Sequence, residues 1–298
     1  MRADNLDIEP SIVPAHHTIR RLVRWPSGFM GIMPALVLIA LFFVAPITGL
    51  LLRSVLEPEP GLGNYAQLFG TSTYARVFAN TFQISALVTT LAVLIGFPVA
   101  WMLAIMPKRW GNLVFAILLL SMWTNLLART YAWMVLLQRT GPINNLLEYL
   151  GFISQPLSMV NNMTGVVIGM VYIMLPFIIL PLHGVIKNID PAVLQAAALC
   201  GANRWKCLVR VLIPLALPGV VAGALMVFAM SLGYYVTPAL LGDASSMMLA
   251  ELIVQLVQSL VRWGLGGAAA FVLLLVTLLL YALQLRFFGA GRMTHDER

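Results

Sequence analysis

The chain has 298 residues, of which 60% are hydrophobic and only 10% are charged, with a formal net charge of +7 and a mean hydropathy of +0.91. Soluble globular domains usually carry about 25% charged residues, so this composition excludes an ordinary soluble domain and predicts an all-α, polytopic membrane protein. The basic balance does not predict nucleic-acid binding, because no basic run is interleaved with aromatic residues and the cytoplasmic loops of membrane proteins are normally basic.

Six long apolar runs predict six transmembrane helices. In chain order they cover residues 29–52, 77–106, 113–138, 163–186, 211–238 and 264–286. Only the third run has a charged residue in its interior, Arg129. At about 1.5 Å of rise per residue, the first run spans roughly 36 Å, enough to cross a hydrocarbon core about 30 Å thick. Gly219 and Gly223, in the fifth run, are typical of close contacts between membrane helices.

The basic residues predict the orientation of these spans. With a cytoplasmic N-terminus, thirteen of the 18 Lys and Arg residues fall in cytoplasmic segments: Arg2, Arg20, Arg21, Arg24, Lys108, Arg109, Lys187, Arg204, Lys206, Arg210, Arg286, Arg292 and Arg298. Only Arg53, Arg76, Arg139 and Arg262 fall in external segments. Cytoplasmic loops carry the excess of Lys and Arg. We therefore expect cytoplasmic tails at 1–28 and 289–298, on either side of a six-helix domain at 29–288.

The cytoplasmic connector between the fourth and fifth spans, residues 187–210, predicts a short helix at the membrane surface. Asp190 suits the N-cap and Pro191 suits the first helical position, where its missing N–H costs nothing. Gly201 suits the end of this helix, because glycine readily adopts the left-handed conformation that terminates many helices. Pro214 follows near the start of the fifth span.

The same connector resembles the EAA motif of permeases in binding-protein-dependent ABC importers. That motif consists of Glu-Ala-Ala, a Gly after three residues, and Ile-x-Leu-Pro after nine more. Here Gln195, Ala196 and Ala197 fill the triplet, Gly201 falls at the same distance, and Pro214 closes the second element. Residues 127–146 and 233–242 are also similar to the third and fifth spans of spermidine/putrescine permeases, so the resemblance covers roughly residues 30–288.

The resemblance implies a type I ABC importer permease in the bacterial inner membrane. Such a permease pairs with a second permease subunit, here expected to be a different one. It also binds two cytoplasmic ATPase subunits, which hold ATP and Mg, and a periplasmic solute-binding protein. The chain itself would bind no cofactor. The implied solute is a polyamine such as spermidine or putrescine, with another amine, a phosphonate, thiamine or iron as alternatives.

The resemblance also assigns ATPase coupling to the connector. The residues concerned are Asp190, Gln195, Ala196, Ala197, Gly201, Arg204 and Pro214. In the family this helix docks on the ATPase and transmits its closure to the membrane. Gln195 stands where the family usually has Glu, so a charge-assisted contact becomes a neutral and weaker one.

Polar and aromatic residues in or beside the spans are candidates for the translocation path. Trp123 and Asn125 fall near the membrane centre, where an interior-facing role is expected. Arg129 lies 16 residues into the third span, or roughly 24 Å along a straight helix, and thus in the outer half. A charge in lipid is costly. Arg129 is therefore either a gate or binding-protein contact, or a structural residue that snorkels or is neutralised by Asp243 or Glu251.

Four aromatic residues lie near the outer ends of the spans: Tyr131, Trp133, Tyr234 and Tyr235. Their rings fit either cation–π contacts with a protonated amine or the ordinary aromatic belt of the interface. Asp243 and Glu251, between the fifth and sixth spans, are the acids placed to meet an incoming cation.

A membrane enzyme and a secondary transporter are the competing interpretations. An enzyme needs a nucleophile–base pair or metal ligands in its spans, but the six runs hold a single histidine, His183, and no Asp or Glu. We therefore expect no catalytic residue and no metal site. A secondary transporter usually has buried ion-binding carboxylates, which the runs lack. The sequence has no P-loop, so ATP hydrolysis requires a separate chain.

Overall fold

The computed structural model describes residues 27–289, so the expected tails at 1–28 and 289–298 lie almost entirely outside the described residues. Every regular element between residues 27 and 289 is helical. In chain order the α-helices are α1 (Ser27–Ile39), α2 (Ala45–Leu56), α3 (Gly63–Gly70), α4 (Ser72–Ile105), α5 (Lys108–Trp123), α6 (Leu126–Leu137), α7 (Pro142–Tyr149), α8 (Met163–Lys187), α9 (Pro191–Leu199), α10 (Arg204–Cys207), α11 (Ile213–Leu232), α12 (Val236–Leu241), α13 (Leu249–Val254) and α14 (Trp263–Gly289). Three π-helical turns, Ala40–Val44, Leu208–Leu212 and Gln255–Ser259, join or extend them.

Within this range, five continuous helices are long and apolar enough to cross a membrane. They are Ile32–Leu56, Ser72–Ile105, Met163–Lys187, Arg204–Leu232 and Trp263–Arg286, and a bent pair of helices makes a sixth crossing if it is counted as one span. The predicted first, second, fourth and sixth spans are confirmed to within a few residues. The fifth was predicted to reach residue 238, but its helix ends at Leu232.

The third predicted span, 113–138, is wrong as a single straight helix. Lys108–Trp123 and Leu126–Tyr149 are bent relative to each other by 101°. Thr124 and Asn125 separate them in extended backbone, with ψ of 146° and 130°. The physical reason is local, because the short Asn125 side chain bonds the next helix's first N–H groups and so favours a helix start over a helix interior.

Two of the π-helical turns are explained by a proline that follows them in the chain. Ala40–Val44 is followed by Pro46, and Leu208–Leu212 by Pro214, each two residues after the turn. A proline has no N–H to donate and its ring clashes with the carbonyl four residues earlier, so the helix widens there while continuing. The described chain divides into two units between Thr48 and Gly49, and the first π turn belongs to the N-terminal one.

The core of the larger unit is built from α4, α8 and α11. α8 is the most enclosed of them, because 67% of the residues in its most apolar stretch are buried. A Cβ added at Gly219 would lie 2.8 Å from Val185, and one at Gly223 would lie 2.5 Å from Ile178. Both glycines therefore allow α11 to approach α8 closely, which confirms the contacts predicted for them. The packing fixes the connector at one end of α8 and the outer segments at the other.

Candidate functional site

The connector between α8 and α11 begins as the sequence predicts. α8 ends at Lys187, and α9 starts at Pro191. The Asp190 carboxylate accepts a hydrogen bond from the Ala192 N–H at 2.8 Å, which makes Asp190 the N-cap. The cap satisfies a donor that the first turn otherwise leaves free. The direction of α9 as it leaves the membrane helix is thus set by local hydrogen bonding.

The end of α9 is a left-handed turn at Gly201, whose φ is +83°. The Gly201 N–H donates to the Ala198 carbonyl at 3.0 Å and the Ala202 N–H donates to the Ala197 carbonyl at 3.1 Å. These two bonds define a Schellman motif, which requires the positive φ that glycine adopts without strain. The predicted helix stop is confirmed. Its geometry reverses the chain so that α10 can start immediately.

Asn203 is a structural residue of the connector that the sequence reasoning missed. Its side-chain oxygen accepts a hydrogen bond from the Lys206 N–H at 2.8 Å and so caps α10. Arg204 is the first residue of α10 and is exposed. The sequence does indicate this cap, because an Asn directly before a helical stretch is a strong N-cap. Pro214 lies exposed in the first turn of α11.

Two of the three residues that resemble the EAA triplet lie on the exposed face of α9. Gln195 and Ala196 are exposed, whereas Leu194 and Ala197, three residues apart, are half-buried and anchor the helix. Three large apolar side chains of the connector are also exposed: Val193 and Leu199 on α9, the latter at 90% exposure, and Trp205 on α10 at 70% exposure. These side chains are therefore available for contact with another protein.

Arg129 bridges the break between α5 and α6. Its Nη1 donates a hydrogen bond to the Ser121 carbonyl at 2.9 Å, in the last turn of α5. Carbonyls at a helix C-terminus carry partial negative charge, so this contact partly compensates the guanidinium. No ion pair joins Arg129 to Asp243 or Glu251 within the part of the chain whose side chains are placed. Neutralisation of Arg129 by these acids therefore stays a prediction, whereas its expected position on one straight span is wrong, because it lies on α6 after the break.

The neighbouring candidates occupy different environments. Trp123 ends α5 with 88% of its surface exposed. The Asn125 side chain accepts hydrogen bonds from the Leu127 and Ala128 N–H groups at 2.9 and 3.3 Å, so it serves as the N-cap of α6. Tyr131 is exposed on the surface of α6. Asn125 therefore stabilises the start of α6, whereas the Trp123 and Tyr131 rings are exposed.

Tyr172, which the sequence did not indicate, connects the central helix to both sides of this break. The Tyr172 hydroxyl of α8 lies 3.1 Å from the Ser121 hydroxyl, within hydrogen-bonding distance. The Tyr172 and Trp133 rings pack with centroids 5.3 Å apart. These contacts tie both halves of the broken span to the central helix. No sequence pattern indicates a pairing across 51 residues, so only the fold reveals it.

A second break lies between α11 and α12, at Gly233 to Tyr235. Tyr234 is half-buried and Tyr235 is exposed. α12 packs against α6 and α8, which brings both breaks into one region. Among residues 32–286, five buried polar atoms have no hydrogen-bond partner: Ser85 Oγ, Arg129 Nε, Ser231 Oγ, Tyr234 OH and Thr237 Oγ1. Buried polar groups nearly always have partners, so these atoms are suited to contact water or a polar solute.

The loop after α12 is held against α4 and carries Asp243. The Asn80 amide donates to the Ser245 carbonyl at 2.6 Å. The Asp243 carboxylate accepts hydrogen bonds from the Ser246 hydroxyl at 2.6 Å and the Ser245 hydroxyl at 2.8 Å. These hydrogen bonds, that from Ser246 foremost, lower the pKa of Asp243. Burial, and to a lesser degree the Asp243 carboxylate, raise the pKa of Glu251 at the start of α13. The two predicted acids are therefore close enough for the charge of one to affect the pKa of the other.

The fold of most of the chain is similar to that of solved ABC transporters. The crystal structure of a bacterial alginate ABC transporter, in complex with an alginate pentasaccharide-bound periplasmic protein, contains a chain that matches with a TM-score of 0.70. The match covers 90% of this chain and 94% of that one at 18% identity. At this level of identity the similarity concerns the fold alone. It agrees with the predicted type I importer permease fold.

Comparison of sequences identifies the family. The spermidine/putrescine transport system permease protein PotB of Escherichia coli K12 is 30% identical over 79% of this chain and 84% of its own length. PotB of Haemophilus influenzae is 33% identical over 78% of this chain and 80% of its own length. The family model described as binding-protein-dependent transport system inner membrane component matches residues 96–288. This chain belongs to that family and is a multi-pass inner membrane transport subunit of an ABC importer, not an enzyme.

Proposed function

We propose that this permease imports a polyamine of the spermidine or putrescine class. The observation that carries the proposal is the similarity to PotB, which extends over more than three quarters of the chain in both relatives. The external loop supports it, because Asp243 is held in its ionised form by serine hydroxyls and a carboxylate attracts a protonated amine. Different amines, phosphonates, thiamine and iron are the alternative solutes, and the test below compares them with polyamines.

The proposed complex contains two different permease subunits, two cytoplasmic ATPases that bind ATP and Mg, and a periplasmic binding protein. The exposed apolar side chains of Val193, Leu199 and Trp205 support docking of the connector on an ATPase. In this arrangement both termini and the connector face the cytoplasm, as the basic residues predict. Gln195 then contacts the ATPase through a neutral hydrogen bond.

The proposed translocation path passes the two helix breaks. The candidates along it are Trp123, Asn125, Arg129, Tyr131, Tyr234, Tyr235, Asp243 and Glu251. The unpartnered Tyr234 and Thr237 hydroxyls supply acceptors for an amine N–H. The helix terminus at Ser121 takes up part of the positive charge of Arg129, which reduces its repulsion of a cation. Asn125 acts indirectly, because it holds α6 in place.

Uptake by the reconstituted transporter tests this function. The complete complex is placed in vesicles with its cognate binding protein, and accumulation of labelled putrescine or spermidine is measured with ATP, without ATP, and after ion gradients are collapsed. We expect uptake that requires ATP and survives loss of the gradients. Uptake that requires a gradient but no ATP would support a secondary transporter instead. Calorimetry of the binding protein against amines, phosphonates, thiamine and ferric iron identifies the solute, and the absence of any amine binding refutes the polyamine proposal.

A further inference from the structure

A cavity of about 310 Å³ lies at the end of the helical bundle opposite the two breaks. It is enclosed by the last turns of α4, the first half of α5 and the last turns of α8. Its volume is at the lower end of the range of ligand pockets, roughly 300–1,000 Å³. No part of the proposed translocation path or of the α9 docking surface lines it.

The polar lining of this cavity is basic. Lys108 and Asn112 lie four residues apart on α5, and His183 and Lys187 lie four residues apart on α8, so each pair shares one face of its helix. No carboxylate lies within ion-pairing distance of either lysine among the side chains that are placed. The acid that follows Lys187 in the chain, Asp190, already caps α9. Two ammonium groups thus converge on one cavity without a protein counter-ion in the described chain.

The remaining lining is apolar and includes Leu103, Met106 and Phe115. The Phe115 and His183 rings pack with centroids 5.9 Å apart and form one wall. Trp110, two residues from Lys108, is exposed at the same end of α5, where aromatic side chains are typical of the membrane interface. The cavity therefore combines basic and apolar lining residues at the first turns of α5 and the last turns of α8.

We propose that this cavity binds the phosphate of an anionic phospholipid from the cytoplasmic leaflet. The Lys108 and Lys187 ammonium groups ion-pair with the phosphate oxygens, and the Asn112 amide donates a hydrogen bond. The apolar wall contacts the glycerol and upper acyl carbons, which a free phosphate ion lacks. Basic pockets between membrane helices on the cytoplasmic side recognise anionic headgroups by this chemistry. A lipid bound here contacts the last turn of α8, where the connector begins, without taking part in solute transfer.

The test measures lipid binding to the purified transporter complex by native mass spectrometry, with phosphatidylglycerol, phosphatidylcholine and inorganic phosphate as probes. Each lysine near an anionic headgroup contributes about a five-fold gain in affinity, so we expect Lys108→Gln with Lys187→Gln to weaken phosphatidylglycerol binding by about 30-fold. The charge-preserving double change to Arg should retain binding. Arg139→Gln with Arg262→Gln removes two charges in external segments and should have no effect.

Three outcomes would overturn the proposal: equal binding of phosphatidylcholine and phosphatidylglycerol, unchanged phosphatidylglycerol binding in the Gln double variant, or displacement of the lipid by inorganic phosphate at equal concentration. The last result would assign the cavity to a free anion. If the double variant fails to assemble, Lys187→Gln alone decides, with an expected loss of about five-fold. None of these results depends on the identity of the transported solute.

Discussion

Replacing Gly201 by Ala isolates the conformational requirement of the connector. A Cβ at this position meets no atom within 4 Å, so the substitution causes no clash. The φ of +83° remains, and an L-residue in the left-handed region costs about 1–2 kcal/mol. That cost shifts the equilibrium away from the Schellman turn by roughly 5- to 30-fold. The matched control is Gly184→Ala in α8, which is also free of contacts but lies inside a helix, where Ala is favoured over Gly.

The assay is ATP-driven uptake in proteoliposomes, measured together with ATP hydrolysis. We expect Gly201→Ala to insert and assemble normally but to lower uptake by up to about 30-fold, because α9 is displaced from its docking orientation. ATP hydrolysis should no longer respond to the loaded binding protein. Gly184→Ala should transport like the unmodified protein. Equal uptake by the two variants would show that the left-handed turn is not needed for coupling.

Three further predictions concern the caps, the helix break and the external loop. Asp190→Ala should destabilise α9 by about 1 kcal/mol and reduce uptake, whereas Asp190→Ser retains the cap and should restore uptake; equal loss in both would exclude capping as the cause. Arg129→Gln should lower the free energy of unfolding of the complex by about 1.5–3 kcal/mol through loss of the charged hydrogen bond to Ser121. An unchanged melting temperature would contradict this contact. Because the folded-state pKa of Asp243 is lowered, its stabilisation is present above the unfolded value of about 4 and is lost as pH falls through the folded value. Ser246→Ala should therefore diminish this stabilisation and move the acid limb of the melting curve to higher pH, and a limb that stays in place would contradict the role of this hydroxyl.

The connector was predictable because its structure is determined locally. Asp190, Pro191 and Gly201 each act within one turn of chain, through a cap, a fixed φ and a left-handed turn. Sequence alone therefore gave both ends of α9 correctly. The long apolar helices were predictable for a similar reason, since an unbroken apolar run must satisfy its backbone hydrogen bonds within itself in lipid.

The helix breaks were not predictable in the same way. Asn125 and Tyr234 lie inside apolar runs whose average hydropathy indicates continuous spans. The structure of the first break also depends on Arg129 reaching the Ser121 carbonyl and on Tyr172 of α8, contacts that exist only after the helices have packed. α13 was missed because six residues are too few to give a hydropathy signal. Tertiary contacts, not composition, decide where these spans end.

The most direct test of docking by α9 is site-specific photocrosslinking in the assembled transporter. A photoreactive amino acid is placed at Gln195, on the exposed face of α9, and a matched one at Tyr149, which is exposed at the end of α7. We predict an adduct with the ATPase subunit from position 195 and none from position 149. An adduct of position 195 with the periplasmic binding protein, or the absence of any ATPase adduct, would contradict the assignment of this connector as the contact with the ATPase.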